Sequence, residues 1–189
     1  MTMVSFISRF LLRIFGWELV GGVIPEPKAI VLGVPHTSNW DFIISFLYYR
    51  AVGGKSYTMV KKEFFFWPVG YIIRAMGGIP VDRSKGASLV KQILSEFEKR
   101  EVMHLAIAPE GTRKPVAKWK GGFHTIARAA GIPVYIAFFD WGRKRIGYCD
   151  KIELTDDLQG DLKRIRQWYK DHGIIGRNPE GMNYGDDLD

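Results

Sequence analysis

Lys28-Ala29-Ile30-Val31-Leu32-Gly33-Val34, closed by Pro35 and followed by His36-Thr37-Ser38-Asn39-Trp40-Asp41, decides how the chain is read. From Ala29 to Val34 the run is short, continuously apolar and rich in branched side chains, the pattern of a strand buried on both faces. A helical pattern replaces it from about Asn39 to Arg50, and the Gly53-Gly54 pair ends that helix before a short strand, Ser56 to Val60. Strand, helix and strand at this spacing form a parallel unit, because a parallel crossover leaves room for a helix.

The same alternation continues downstream. The aromatic run Phe64 to Met76 contains Pro68 and Gly70, which predicts a helix that starts or kinks near Trp67-Pro68 and stops at Gly77-Gly78. Ile79-Pro80-Val81 reads as a strand leading into Asp82-Arg83. Ala87 to Arg100 carries Leu89, Val90, Ile93, Leu94 and Phe97 at helical spacing. Val102 to Ala108 reads as another buried strand, ended by Pro109-Glu110-Gly111. Helix Phe123 to Ala130, strand Pro133 to Phe139, a strand pair about Trp141-Gly142 and an amphipathic helix from about Asp161 to Lys170 complete the pattern. Strands separated by helices predict an α/β fold, a single-domain sandwich on a largely parallel, mixed sheet.

The stretch Met1 to Val20 is apolar but broken by Arg9 and Arg13. Wound as a helix, it puts Ser5, Arg9 and Arg13 on one face and Phe6, Phe10, Ile14 and Trp17 along a neighbouring stripe, with Ile7, Leu11 and Phe15 beside it. This predicts an amphipathic helix with too few uninterrupted apolar residues to span a bilayer, which takes about 18 to 20. Arginines inside the apolar region also argue against a secretory signal. Two placements stand at this level, in a lipid interface or as a first core helix. The expected organisation is a helix and linker over residues 1–25, one body over 26–176, and an acidic, flexible tail over 177–189.

The 189 residues suit one hydrophobic core. Lys and Arg outnumber Asp and Glu 27 to 20, a net +7, and because residues 177–189 carry one positive and four negative charges, the remainder is about +10. A basic body attracts nucleic acid, an anionic membrane surface or phosphorylated small molecules. No nucleic-acid recognition motif accompanies the charge, which argues against that class of partner. Cys149 is the one cysteine, so an intramolecular disulfide and a Cys-rich metal site are excluded and a reducing, cytoplasmic setting is favoured. Cys149 itself reads as packing near the end of the strand-like stretch from Arg145.

His36 falls just after a buried strand and Asp41 in the first turn of the following helix, the junction at which open α/β sheets bind ligands. A neutral imidazole there can take a proton from a hydroxyl, while a carboxylate on its other nitrogen fixes the tautomer and stabilises the imidazolium. The same Ser38-Asn39-Trp40-Asp41 also reads as a helix-capping segment. Gly78-Ile79-Pro80-Val81-Asp82-Arg83 and Ala108-Pro109-Glu110-Gly111-Thr112-Arg113 each set charges at a strand end, on the edge that His36 occupies if the strands are parallel. Arg83 and Arg113 are planar forks suited to a phosphate, and the Glu110-Gly111 turn can expose backbone N–H groups. Each segment also has a plainer reading, as a local ion pair or a β-turn.

Taken in order, His36-x4-Asp41, Gly78 to Arg83, Pro109-Glu110-Gly111-Thr112-Arg113 and Gly131-Ile132-Pro133-Val134 resemble the four blocks of the lysophospholipid and glycerol-phosphate acyltransferase family. Lys61-Lys62-Glu63-Phe64 before the second block and Lys120-Gly121-Gly122-Phe123 before the fourth look like that family too, so the likeness spans Val34 to about Ala137. The resemblance implies that residues 26–176 are an acyltransferase domain moving a fatty acyl group from acyl-CoA or acyl-carrier protein, as co-substrate, to a lysolipid or glycerol-phosphate hydroxyl. It implies no metal, no other cofactor and no acyl-enzyme, and a peripheral location at the inner, cytoplasmic face of the membrane. In it His36 is the general base and Asp41 its orienting partner. Arg83 and Arg113 bind the acceptor phosphate, Glu110, Gly111 and Thr112 shape the acceptor site, and Lys61 and Lys120 contribute charge. Pro35 where Asn is common, Ala108 where an aromatic is common and the proline-poor fourth block depart from the pattern. They leave the acceptor open, an amino-acid-containing lysolipid among the candidates, beside a non-catalytic lipid-binding module that keeps the fold.

Overall fold

The computed structural model describes residues 2–82, 84, 86–182 and 184. Its centre is a seven-stranded sheet, and strand β2, Lys28–Val34, lies in the middle as its composition demands. Ile30, Leu32 and Val34 face one core and Ala29 and Val31 the other, so every side chain from Ala29 to Val34 is buried. Helix α1, Met3–Ile14, and strand β1, Glu18–Val20, precede it. After it come α2, Trp40–Val52, β3, Ser56–Lys61, α3, Val69–Ala75, β4, Gly78–Val81, α4, Gly86–Glu98, and β5, Met103–Ile107. Helix α5, Gly122–Ala130, the strand pair β6, Val134–Asp140, and β7, Arg145–Ile152, and helix α6, Leu158–His172, complete the chain.

The strand order is β1-β7-β6-β2-β5-β3-β4, and only the β6–β7 pair is antiparallel. Helices cover both faces. Ile93 and Phe97 of α4, Phe123 and Ile126 of α5 and Leu162, Ile165 and Tyr169 of α6 pack on one side, and Leu12 of α1 with Ile44, Tyr48 and Tyr49 of α2 on the other. The mixed, largely parallel α/β sandwich read from the sequence is what forms. Because β2, β3, β4 and β5 are parallel, the loops after all four open on one edge.

Two local expectations change. Helix α1 stops at Ile14, where Gly16 takes φ 75°, and the chain turns so that Glu18–Val20 pairs with Arg145–Gly147 as an edge strand. Trp17 leaves the predicted stripe and is buried edge-on against Trp141, their ring centroids 4.9 Å apart. The helix of the aromatic run starts at Val69, directly after Trp67-Pro68 as expected, because Pro68 suits a helix start and not its interior, and a one-turn 3₁₀ segment, Lys62–Phe64, precedes it. Cys149, read as packing, is exposed on β7.

Candidate functional site

Neighbouring strands bring the site together. Leu32 of β2 lies opposite Ile107 of β5, so the loops that leave these strands start side by side. The backbone N–H of His36 donates to Glu110 Oε1 at 2.9 Å, across 74 residues of sequence.

The imidazole is held on one side only. His36 Nδ1 lies 3.1 Å from Asp41 Oδ2, and that oxygen also accepts the N–H groups of Thr37 at 3.0 Å and Ser38 at 2.8 Å. The other carboxylate oxygen accepts Trp141 Nε1–H at 2.8 Å. Asp41 therefore secures the helix start and holds the imidazole at once, and the two readings of its spacing are a single structure. The Asp41 side chain is 1% exposed and that of His36 25%, and among the described residues nothing is bonded to His36 Nε2. With Nδ1–H given to the carboxylate, Nε2 keeps its lone pair toward solvent, the form a general base needs.

A second histidine and carboxylate lie close, His124 Nε2 3.2 Å from Asp161 Oδ2, and offer a contrast. Both are buried, Asp161 also accepts from Thr155, and His124 Nε2 meets the Thr155 carbonyl at 3.1 Å. That pair ties α5 to α6, with both side chains buried.

Glu110 is the unusual carboxylate. It is 7% exposed, its Oε1 is occupied by the His36 N–H, and its Oε2 is buried without a partner among the described residues. Burial pushes its pKa up to about 7, against a smaller opposing pull from the bond to His36, and the nearby Asp41 adds to the rise.

The other predicted positions are placed unequally. Arg113 is exposed and one guanidinium nitrogen reaches Asn39 Oδ1, so the loop after β5 touches the loop after β2. Gly111 takes φ 67°, and the Lys120 side chain lies so close that a Cβ on Gly111 would stand 2.9 Å from its Cδ. The Gly111 N–H closes on the Ala108 carbonyl at 3.0 Å, a hydrogen-bonded turn, so it is not among the N–H groups that this turn could expose. Thr112 Oγ1 accepts the Lys114 N–H at 3.3 Å. Lys61 is exposed at the end of β3, opposite Val81. Asp82 pairs with Lys62 at 2.8 Å, and that bond, with those from Ser84, holds its carboxyl well below the usual range. Arg83 lies outside the described residues.

Residues that sequence reasoning passed over complete the site. Trp141 begins the turn between β6 and β7, and Asn178 donates its backbone N–H to Thr37 Oγ1 at 3.2 Å and its side-chain N–H to the Thr37 carbonyl at 3.0 Å. The described part of the segment assigned to a tail, residues 177–182 and 184, thus includes direct partners of the His36 loop. No spacing signal in the sequence links Trp141 or Asn178 to His36.

A family model described as Acyltransferase matches residues 20–137, more than half of the chain. The chain belongs to the acyltransferase family. All the described site residues singled out from the sequence lie within that span. Among solved structures, the acyltransferase is similar to the 1-acyl-sn-glycerophosphate (LPA) acyltransferase PlsC of Thermotoga maritima, with TM-score 0.60 and 13% identity over 93% of this chain and 80% of that one. At that identity the likeness establishes the shared fold. No curated protein matches the sequence.

Proposed function

We propose that this acyltransferase moves a fatty acyl group from acyl-CoA or acyl-carrier protein to the hydroxyl of a lysophospholipid or glycerol-phosphate acceptor, as an O-acyltransferase of phospholipid biosynthesis working at a membrane surface. The observation that carries the proposal is the one-sided imidazole: Nδ1 on a buried carboxylate, Nε2 open, on a strand edge that also presents Arg113 and Lys120. His36 Nε2 takes the acceptor hydroxyl proton as the oxygen attacks the thioester carbonyl, and Asp41 stabilises the imidazolium. The tetrahedral adduct collapses with loss of the thiolate, which receives the proton from His36. The products are an ester and a free thiol, and the chemistry is written without metal or further cofactor because the thioester supplies the activated acyl group. Arg113, Lys120 and Lys61, with Arg83 by its place in the motif, supply positive charge for an acceptor phosphate. Glu110, Gly111 and Thr112 shape the turn beside it.

The test is thiol release from acyl-CoA and from acyl-carrier protein across a panel of lysophosphatidate, glycerol phosphate, other lysophospholipids and an amino-acid-containing lysolipid. Transfer to a phosphate-bearing acceptor is expected, and thioester consumption with none of them would overturn the proposal. As a control, His124→Ala should lower stability by about 1 to 3 kcal/mol through loss of its buried hydrogen bonding to Asp161 and the Thr155 carbonyl, measured by urea unfolding, and leave transfer by the folded fraction intact.

The membrane part rests on α1. Its buried residues are Ser5, Ser8 and Leu12, with Ser5 Oγ donating to the Ala51 carbonyl of α2 at 3.0 Å, whereas Met3, Phe6, Phe10 and Ile14 are exposed. A helix that turns its small residues inward and its aromatic stripe outward fits a lipid interface. Phe64, Phe66, Trp67 and Tyr71, before and within α3, are exposed as well. No helix among the described residues is long and apolar enough to cross a membrane. The net charge of +7 suits the anionic inner face, reached from the cytoplasm. Burying one Phe contributes about 1.5 to 3 kcal/mol, so replacing Phe6 and Phe10 together by Ser should lower partition onto anionic phospholipid vesicles at least tenfold in a flotation assay. Unchanged flotation would remove α1 from the membrane contact.

A further inference from the structure

Trp141 is the third partner of the His36 and Asp41 pair, and it comes from outside the family-matched span. Asp41 Oδ2 is filled by His36, Thr37 and Ser38, and the orientation of the carboxylate plane is then fixed by what holds Oδ1, the Trp141 indole N–H at 2.8 Å. An indole is a neutral donor with one hydrogen, so it orients the carboxylate without competing for the imidazole as a cation would. The ring itself is clamped. Its own backbone N–H donates to the Ile175 carbonyl at 2.8 Å, Trp17 meets it edge-on, and Lys144 Nζ and the Arg177 guanidinium stand 5.1 and 4.9 Å from its centroid. Arg177 also covers Trp40, the residue before Asp41, at 5.1 Å, and the adjoining Asn178 binds Thr37 through two hydrogen bonds. The approach is close, since a Cβ on Gly176 would stand 2.8 Å from Thr37 Oγ1.

We infer that Trp141, seated by Arg177 and the segment through Asn178, is a positioning residue that sets the Asp41 carboxylate for His36. Residues after the family-matched span thereby complete a site whose reacting groups lie within it. This rests on the general-base reading of His36 given above.

The experiment is Trp141→Phe, which keeps the ring and removes the donor, assayed for acyl transfer alongside NMR of the low-field imidazole Nδ1–H resonance of His36. Losing a hydrogen bond to a charged group should lower kcat about tenfold to a hundredfold with acceptor KM within about twofold, and shift or broaden that resonance. A normal kcat in the folded variant, a change confined to KM, or an unmoved resonance would overturn the inference. Arg177→Met keeps the indole donor and unseats the ring. It should lower kcat several-fold and perturb the same resonance, and an unchanged kcat would overturn the inference even if Trp141→Phe failed to fold. Were His36→Ala to leave acyl transfer intact, the general-base reading would fall. If that variant is inactive and Trp141→Phe is unaffected, only the positioning role falls.

Discussion

His36→Ala should cut kcat for acyl transfer by about 10²- to 10⁴-fold while leaving the protein folded, because in the proposed reaction the imidazole takes the acceptor proton. The fold should tolerate the change, since the His36 side chain is a quarter exposed and its one polar partner keeps other donors. Asp41 retains the N–H groups of Thr37, Ser38 and Trp141 when the imidazole is gone, so no buried carboxylate is stranded. The measurement is initial-rate thiol release at saturating thioester, with circular dichroism and thermal unfolding as controls. Near-normal turnover by the folded variant would remove His36 from the chemistry. Glu110 cannot stand in for it readily, because its carboxyl is buried and one of its oxygens is taken by the His36 backbone N–H.

Glu110 gives the second large effect, on stability. Its pKa in the folded protein is about 7, against an ordinary value of 4.5, and burial is the main cause. The native state therefore holds a proton that the unfolded chain has lost, and stability falls as pH rises from about 4.5 through about 7. At about 1.4 kcal/mol per unit, the contribution lost across that window is of the order of 3 kcal/mol. Glu110→Gln cannot ionise and keeps a carbonyl oxygen for the His36 N–H, so its unfolding free energy should vary less with pH by this amount. Urea unfolding of both proteins at pH 5 and pH 8 isolates Glu110, because every other titrating group is common to them. Parallel pH dependence in the two proteins would mean that Glu110 is not a raised carboxyl. At pH 5 both side chains are neutral and each puts a donor at the buried Oε2 position, so the two proteins should be close in stability, and at pH 8 the variant should be the more stable.

Much of this protein was legible in its sequence because the signals are local. The doubly buried run from Ala29 to Val34 dictates a central strand, and its alternation with helical patterns dictates a parallel sheet with helices on both faces. The His36 to Asp41 spacing places imidazole and carboxylate within one turn of chain, where a loop and a helix start can bring them into contact regardless of the remaining fold. The four ordered blocks pointed to the family to which the chain belongs. Helix α1 shows where such reading stops: periodicity established two faces, yet which face turned inward depended on the smooth seat that Ser5 and Ser8 find against α2. Glu110 could be singled out from its motif, but not its contact with His36, which depends on β5 lying beside β2, nor the elevated pKa that follows from burial. Trp141 and Asn178 carry no motif, and they reach Asp41 and Thr37 only because the β6–β7 turn and the segment after α6 close over the same edge. Sequence by itself determined the groups that chance cannot easily put a few residues apart in the right order. Tertiary structure decided everything that depends on strand order and burial, because hydrogen bonds between distant residues and the cost of desolvating a charge exist only once the chain has closed around them.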